Sequence, residues 1–296
     1  MKSVRTFEMA TCSTEELVDA KAGRTVSVCI PCRDEAATVG PLITSIRKAL
    51  IERVSLVDEL LVIDDRSTDD TAGVASGAGA TVVPIETIHL DHGVGHGKGN
   101  VLWASLLASS GDFVVWLDGD ITSFHPDWVV RLLAPLLDDD TVALVKAFAH
   151  RPQTMGGGGR TTELVARPLM SLYFPGIAAL QQPLAGEYAG RRSVLEQLPF
   201  VQGWGVEMAL LIDVAQRFGA DAIAQIDVGV REHRHRSLES LSVQAAEVMA
   251  TILGRVPGGS LLPSPSPYLQ RADGSRLRLN LEERPPVAKI RRRPPE

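Results

Sequence analysis

The stretch Gly111-Asp-Phe-Val-Val-Trp-Leu-Asp-Gly-Asp-Ile-Thr-Ser-Phe124 decides how the rest of the chain is interpreted. Its apolar run at residues 113–117 is typical of a buried strand, and Asp118 and Asp120 follow that run directly. In an open α/β sheet, ligands bind at the carboxyl ends of the strands. Two carboxylates this close repel each other unless a cation lies between them, and oxygen ligands suit Mg²⁺ or Mn²⁺. The stretch therefore predicts a divalent metal that binds a nucleoside diphosphate, with a solvated Asp-Gly-Asp turn as the alternative.

Strand and helix signals alternate on both sides of this stretch. Apolar runs of strand length lie at residues 25–31, 59–63, 81–85, 142–149, 186–190 and 223–230. Between them, apolar residues recur at helical spacing, as Val39, Leu42, Ile43 and Ile46 do. This alternation predicts an α/β fold with a parallel sheet.

Composition excludes several classes of protein. The chain has 296 residues, 45% of them hydrophobic and 22% charged, which is ordinary for a globular protein with a large core. A net charge of −6 does not indicate a nucleic-acid partner. No run of 18 apolar residues occurs and residues 1–10 lack an apolar secretory core, so we expect no membrane partner and a cytoplasmic location.

The ends of the chain differ from its middle. Residues 1–24 are polar, with a short helical pattern in which Ser13 and Glu16 have capping-box spacing, and we interpret them as an N-terminal appendage. Residues 256–296 form a tail rich in proline and arginine, which we expect to be linker-like and a candidate contact for a partner subunit. Cys29 and Cys32 have Cys-x-x-Cys spacing, but they lie where a strand runs into a loop, which favours one small buried side chain and one loop residue over a redox pair.

Polar residues in three further places could bind a ligand. The second strand ends in Asp64 and Asp65, and the loop at residues 86–100 is rich in glycine and histidine. Lys98 in that loop lies near a predicted helix start and could hold an anion. A zinc site at the histidines of the loop is disfavoured because no cluster of cysteines or carboxylates nearby completes a closed tetrahedral set. After four glycines, Arg160 and Thr161 could bind a phosphate or carboxylate, with a plain flexible linker as the alternative.

Two residues late in the chain leave their roles open. Glu207 lies in the first turn of an apolar helix, where it could favour the helix dipole or hold a sugar hydroxyl. His233 follows the last predicted strand and is a candidate metal ligand, while the arginines beside it could bind an anion or form a charged surface turn.

Together these motifs resemble a known family. Residues 28–31 with Asp34-Glu35, residues 62–71, and Asp118-Gly119-Asp120 resemble the nucleotide-sugar-dependent glycosyltransferases of the GT-A fold. The second half, at residues 158–169, 182–190, 205–207 and 221–234, is similar to the actinobacterial glucosyl-3-phosphoglycerate synthases and their mannosyl relatives. The resemblance covers about residues 25–255.

The resemblance implies an activity and an organisation. It implies a Rossmann-like nucleotide-sugar-binding half at residues 25–150 and an acceptor-binding half at 151–255, joined in one continuous sheet. It also implies a retaining, metal-dependent transferase that moves glucose, with UDP-glucose favoured, to the 2-hydroxyl of 3-phosphoglycerate, in a homodimer. The alternatives are a mannosyl enzyme using GDP-mannose, a nucleotidyltransferase and a nucleotide-sugar-binding protein without activity.

The resemblance also assigns roles to residues of this sequence. The donor would be bound by Pro31, Glu35, Asp64, Asp65, Lys98, Asp118 and Gly119. The acceptor would be bound by Gly159, Arg160, Thr161, His233 and His235. The metal would be held by Asp120 and His233, and the catalytic residues would be Asp118, Glu207 and Arg160. Asp65 and His235 depart from the family pattern, which has a smaller residue and an asparagine at these two places.

Overall fold

An eight-stranded sheet forms the centre of the molecule. The computed structural model describes residues 2–7, 13–150, 159–231, 238–264, 266–271 and 273–291. The strands are β1 (Arg5–Phe7), β2 (Val26–Cys32), β3 (Glu59–Asp64), β4 (Thr81–Pro84), β5 (Phe113–Trp116), β6 (Leu144–His150), β7 (Tyr188–Arg191), β8 (Phe200–Val201), β9 (Ile223–Val230), β10 (Tyr268–Gln270), β11 (Arg276–Arg278) and β12 (Glu283–Arg284). The sheet order is β1-β9-β6-β7-β5-β2-β3-β4, so the predicted α/β fold with one continuous sheet is confirmed.

The direction of the strands decides where polar residues can meet. All neighbouring pairs in the large sheet are parallel except those of β7, which runs antiparallel to β5 and β6. The carboxyl ends of β2, β3, β5 and β9 therefore lie at the same edge of the sheet. Cys32 is in register with Asp64, and β5 ends beside β2. This edge brings together the residues that follow four strands distant in sequence.

Helices cover both faces of the sheet. They are α1 (Thr14–Lys21), α2 (Val39–Ile46), α3 (Thr71–Gly77), α4 (Ile85–His92), α5 (Lys98–Ala108), α6 (Asp127–Asp138), α7 (Arg167–Tyr173), α8 (Arg192–Leu195), α9 (Val206–Phe218), α10 (Leu238–Gly254) and α11 (Val287–Arg291). The described residues also contain two π-helical segments, Arg47–Glu52 and Thr162–Ala166, and two 3₁₀ turns, Pro175–Ile177 and Ala220–Ala222. Ser13 and Glu16 form the predicted capping box at the start of α1.

Alternation along the strands builds the two hydrophobic layers. In β5, Val114 and Trp116 pack with α5 and α9 on one face, whereas Phe113 and Val115 pack with α2 and α6 on the other. Successive side chains of a strand point to opposite faces, so a strand covered on both sides is apolar throughout. Burying each such side chain stabilises the fold by about 1.5–3 kcal/mol, and these layers hold the strand ends in place.

Three expectations about the connecting segments were wrong. Residues 5–7 of the N-terminal appendage form β1, which pairs with β9 because the edge of that strand offers free backbone groups. In the tail, β12 pairs with β8, and Val287 is fully buried, so individual apolar anchors overcome a proline-rich composition. Part of the loop predicted at residues 86–100 is helical, as α4. Within the described residues, no helix is long and apolar enough to cross a membrane.

Candidate active site at the carboxyl edge of the sheet

A cavity of about 330 Å³ opens at the edge where β2, β3 and β5 end. Its lining residues are Pro31, Cys32, Arg33, Glu35, Asp65, Gly97, Lys98, Val101, Asp118, Gly119, Asp120 and Trp204. Seven of the residues assigned by resemblance to donor or metal are in this set: Pro31, Glu35, Asp65, Lys98, Asp118, Gly119 and Asp120. Asp64 is not among the lining residues and instead accepts a hydrogen bond from the Ser67 hydroxyl at the end of β3.

Lys98 lies at the centre of the charged part of the site. It is the first residue of α5, and its Nζ lies 2.7 Å from Asp118 Oδ1 and 2.8 Å from Glu207 Oε1. Burial alone would lower the pKa of Lys98, but the two carboxylates outweigh burial and hold that pKa above its usual value. The structure therefore brings Glu207, from the first turn of α9, to the same cation as the strand-end Asp118.

Arg231 forms the opposite side of the cluster. It follows β9 and is 7% exposed, and its Nη2 lies 3.2 Å from Asp118 Oδ2, 2.8 Å from Glu187 Oε1 and 3.9 Å from Asp120 Oδ1. Burial would raise the pKa of Asp118, but Lys98 and Arg231 lower it to about 2. The sequence indicated only that arginines after the last strand could bind an anion, and it gave no signal for Glu187.

Asp120 differs from Asp118 in the hydrogen bonding of its carboxylate oxygens. Its Oδ1 is buried and has no hydrogen-bond partner among the described residues. A buried carboxylate oxygen without a partner is costly, and a hard cation is the ligand that would satisfy it. Within the described ranges no three histidine, cysteine, aspartate or glutamate side chains form a ready-made metal cluster. The donor set therefore fits a Mg²⁺ or Mn²⁺ that takes further oxygens from a substrate diphosphate.

The loop that contains Asp118 and Asp120 packs tightly against its neighbours. Thr38 Oγ1 donates a hydrogen bond to the Gly119 carbonyl at 2.7 Å and so ties the loop to the start of α2. A Cβ on Gly119 would lie 2.8 Å from Cys32 Sγ, and a Cβ on Gly186 would overlap the Asp118 carboxylate. Gly119 therefore leaves room for the Cys32 thiol and Gly186 for the Asp118 carboxylate, and a side chain at either position would force its neighbour to move.

A second buried cation lies behind the cluster. Lys146 of β6 is 2% exposed, its Nζ lies 4.1 Å from the centre of the Tyr188 ring, and it donates a hydrogen bond to the Ala185 carbonyl. Burial lowers the pKa of Lys146 to about 8, with Glu207 opposing that change. Sequence analysis missed Lys146, although a lone lysine inside an otherwise apolar strand is a signal of a buried ionic role.

Cys29 is the small buried side chain that we expected, whereas the expectation that Cys32 lies in a loop was wrong, because it is the buried last residue of β2. Burial raises the pKa of Cys29 to about 11 and also raises the pKa of Cys32. A reactive thiol requires a lowered pKa.

The residues assigned to the acceptor are described only in part. Gly159, with a φ of 87°, precedes Arg160 and Thr161 at the start of the helical segment that leads into α7. Arg160 is exposed and Thr161 is buried. His233 and His235 lie outside the described residues. The acceptor site, and the joint action of Asp120 and His233 on a metal, stay predictions.

Comparison with known proteins identifies close relatives. The family model described as Glycosyl transferase family 2 matches residues 27–198. The glucosyl-3-phosphoglycerate synthase of Mycolicibacterium paratuberculosis is 45% identical over 293 residues, covering 94% of this chain and 88% of the relative. The enzyme of that name from Petrotoga mobilis is 44% identical over 250 residues, covering 82% and 77%.

The chain is also similar in structure to solved glucosyl-3-phosphoglycerate synthases. The crystal structure of the Mycobacterium tuberculosis glucosyl-3-phosphoglycerate synthase in complex with Mn²⁺, UDP-glucose and phosphoglyceric acid has a TM-score of 0.88 at 42% identity, covering 98% of this chain and all of that one. The same enzyme in complex with Mg²⁺ and UDP has a TM-score of 0.85 at 42% identity, covering 97% and 99%.

Proposed function

The chain belongs to Glycosyl transferase family 2 and to the glucosyl-3-phosphoglycerate synthases, and from that premise we propose that it transfers glucose from UDP-glucose to the 2-hydroxyl of 3-phosphoglycerate. It is a metal-dependent glycosyltransferase with a GT-A fold, as the resemblance implied. The relatives carry the glucosyl name, so the mannosyl alternative is not favoured.

One observation supports this proposal most directly. The cavity at the sheet edge holds two carboxylates with different surroundings. Asp118 forms close ion pairs with Lys98 and Arg231, while Asp120 has a buried oxygen that makes no hydrogen bond among the described residues and lies 3.9 Å from Arg231. That arrangement suits a donor diphosphate and its cation. Asp120, with His233 from beyond the described residues, would hold the Mn²⁺ or Mg²⁺. When bound, that metal would offset the negative charge that grows on the departing diphosphate.

The chain's own cations act on the same charge. Lys98 lines the cavity, and Arg231 lies against the two carboxylates that follow β5. Fixed cations that are already oriented stabilise a leaving diphosphate without reorganising, and such stabilisation contributes several kcal/mol to a barrier. The ion pairs with Asp118 and Glu187 keep both cations in place before substrate arrives.

Glu207 is assigned to the transferred sugar. It is 4% exposed, and its Oε1 is fixed by Lys98, the residue that also lines the donor cavity. A buried carboxylate in this place can accept hydrogen bonds from glucose hydroxyls. We propose that Glu207 keeps the glucose hydrogen-bonded while the acceptor hydroxyl attacks the anomeric carbon. The attack comes from the same face as the departing diphosphate, so the anomeric configuration is retained.

The acceptor half of the site is proposed from sequence. Arg160, Thr161 and Gly159 would bind the phosphate or carboxylate of 3-phosphoglycerate, with His235 beside it. Residues 25–150 would then form the nucleotide-sugar-binding half and 151–255 the acceptor half. A cytoplasmic homodimer is part of the same proposal, and light scattering on the purified chain tests the dimer.

The test of the proposed activity is the identity of the product. The full chain is incubated with Mn²⁺, 3-phosphoglycerate and either UDP-glucose or GDP-mannose, and the products are identified by mass spectrometry and proton NMR. We expect a glucosylated phosphoglycerate with an α-anomeric proton, and loss of product in EDTA. A nucleotidylated product, a mannosylated product alone, or UDP binding without transfer would each contradict the proposal.

A further inference from the structure

The C-terminal segment at residues 279–291, here called the C-terminal strap, packs against the loop that leads into Lys98. This loop spans residues 92–97 and is called the Gly/His loop. Trp103 Nε1, one turn further along α5, donates a hydrogen bond to the Pro285 carbonyl of the strap at 2.7 Å. The strap therefore contacts α5, the helix that begins with Lys98, although the sequence of the strap indicated a linker.

Arg284 makes most of the contact between the strap and the loop. Its Nη1 and Nη2 donate hydrogen bonds to the carbonyls of His92 at 2.8 Å and Gly93 at 2.7 Å. Its Nε donates to Asn100 Oδ1 at 2.8 Å, and its guanidinium lies 4.8 Å from the centre of the Trp103 ring. Arg284 is 7% exposed. A planar guanidinium with several fixed donors is suited to holding three acceptors at once.

The rest of the Gly/His loop is fixed from the same side. Asn280 Nδ2 donates to the His96 carbonyl at 2.9 Å, and the His96 amide donates to Gln202 Oε1 at 3.1 Å. Gln202 is itself held by the strap, because its amide donates to the Glu282 carbonyl at 2.8 Å. Strap, loop and the segment after β8 thus form one hydrogen-bonded unit.

This unit forms one wall of the cavity. Gly97, the last residue of the loop, lines the cavity together with Lys98, which follows it, and Trp204, which comes two residues after Gln202. Gly97 has a φ of 89°, and a Cβ there would lie 2.7 Å from the Gln202 carbonyl oxygen. With so little space between them, a displacement of the loop must displace the backbone that carries Lys98.

We propose that Arg284 is a positioning residue for the nucleoside diphosphate: it fixes the Gly/His loop, and through that loop it sets the place of Gly97 and Lys98 in the cavity wall. The C-terminal strap then contributes to donor binding by holding this loop in place. The inference rests on the proposed function only in taking a nucleoside diphosphate as the ligand of this cavity.

The test compares three variants in the full chain. Titration calorimetry measures binding of UDP in the presence of Mn²⁺, and kinetics measure KM for UDP-glucose and for 3-phosphoglycerate. Loss of several hydrogen bonds in Arg284→Ala should weaken UDP binding about tenfold, and loss of one in Asn280→Ala should weaken it about two- to fourfold. Arg276→Ala is the matched control, because Arg276 is an exposed residue of β11, which precedes the strap, and its side chain donates a hydrogen bond to Gln270 Oε1 on β10.

KM for UDP-glucose should rise in both test variants while KM for 3-phosphoglycerate stays within twofold. Arg284→Lys, which keeps the charge but cannot hold three acceptors, should recover only part of the binding. Equal UDP affinity in wild type and both variants, or an equal rise in both KM values, would overturn the proposal. Asn280→Ala keeps the Asn280 backbone and its hydrogen bond to Glu247, so the test does not depend on Arg284→Ala being stable.

Hydrogen exchange separates this inference from the proposed function. The amides of Gly95 and His96 are hydrogen-bonded, and both should exchange faster in Arg284→Ala and Asn280→Ala than in the control, with or without UDP. Absence of UDP binding in the wild type would refute the proposed function, while unchanged exchange of these two amides would refute the positioning role.

Discussion

Replacing Lys98 with methionine should destabilise the folded chain in a way that depends on pH. The substitution keeps most of the side-chain volume but removes the cation between Asp118 and Glu207. Breaking a buried ion pair by removing one partner costs about 3–5 kcal/mol, because the other charge stays buried. Because Arg231 remains 3.2 Å from Asp118, we expect the free energy of unfolding to fall by the lower end of that range, about 3 kcal/mol at pH 7.

The pH dependence follows from the pKa of Asp118. In the wild type this pKa is about 2, below its ordinary value of 3.8, so the stability that Asp118 contributes is present above pH 3.8 and is lost as pH falls through 2. Without Lys98, one of the two main cations that oppose burial at Asp118 is gone, so the pKa of Asp118 rises and the variant loses stability as pH rises above 3.8. The difference between wild type and variant should therefore grow from pH 4 to pH 7.

The assay is urea unfolding of both proteins at pH 4, 5, 6 and 7, followed by circular dichroism. Lys48→Met, at an exposed lysine, is the control and should stay within about 0.5 kcal/mol of wild type at every pH. Adding Glu207→Gln to Lys98→Met should restore part of the lost stability, since one unpaired carboxylate is then removed. A loss below about 1 kcal/mol, or a loss that is the same at all four pH values, would refute the assignment of Lys98 as the shared partner of the two carboxylates.

Three more predictions concern single residues of the site and its support. Asp120→Asn should lower turnover at least about 100-fold, on the scale of removing a group that stabilises developing charge, without lowering the urea midpoint; wild-type turnover at saturating Mn²⁺ would contradict the metal role. Between pH 10.5 and pH 8 the unfolded chain protonates Lys146 while the folded chain, in which its pKa is about 8, does not, so the wild type loses stability as pH falls. Lys146→Met escapes this loss and should gain roughly 3 kcal/mol of unfolding free energy relative to wild type over that range. Stability curves that stay parallel would refute this. Burial, with Arg284 and Arg66, lowers the pKa of His89 below 6.5, so wild-type stability should fall as pH drops beneath 6.5, and His89→Gln should flatten that slope in thermal unfolding scans.

The strands and the carboxylate loop were predictable because their signals are local. An apolar run followed by Asp-Gly-Asp identifies both the end of β5 and the residues that face the cavity, and the parallel arrangement places the ends of β2 and β3 beside it. The same reasoning put Lys98 near a helix start, and the structure has it as the first residue of α5 and in the cavity lining. Each of these predictions needed only a pattern within about ten residues and a rule about sheets.

The partners across the site were not predictable in this way. Arg284 and Asn100 are 184 positions apart, and Arg231 and Asp118 are 113 apart, so no local pattern joins them. Composition was misleading for the C-terminal strap, because a segment rich in proline and arginine can still dock through one buried arginine and one buried valine. A buried arginine also gives no apolar period to detect, since its signal lies in its hydrogen-bond partners.

The charges of the site explain why a donor and a divalent cation should bind together. The buried cluster contains four carboxylates, Asp118, Asp120, Glu187 and Glu207, and three cations, Lys98, Arg231 and Lys146. With every group ionised the cluster keeps one negative charge, so a diphosphate entering alone would meet net repulsion beside Asp120. A divalent cation reverses that sign, and Asp120 Oδ1 is a buried oxygen that makes no hydrogen bond among the described residues and is available to that cation. Asp118 and Asp120 are two residues apart, yet neighbouring charges separate their roles: the first is held by the protein's own cations, and the second is left for the metal that accompanies the donor.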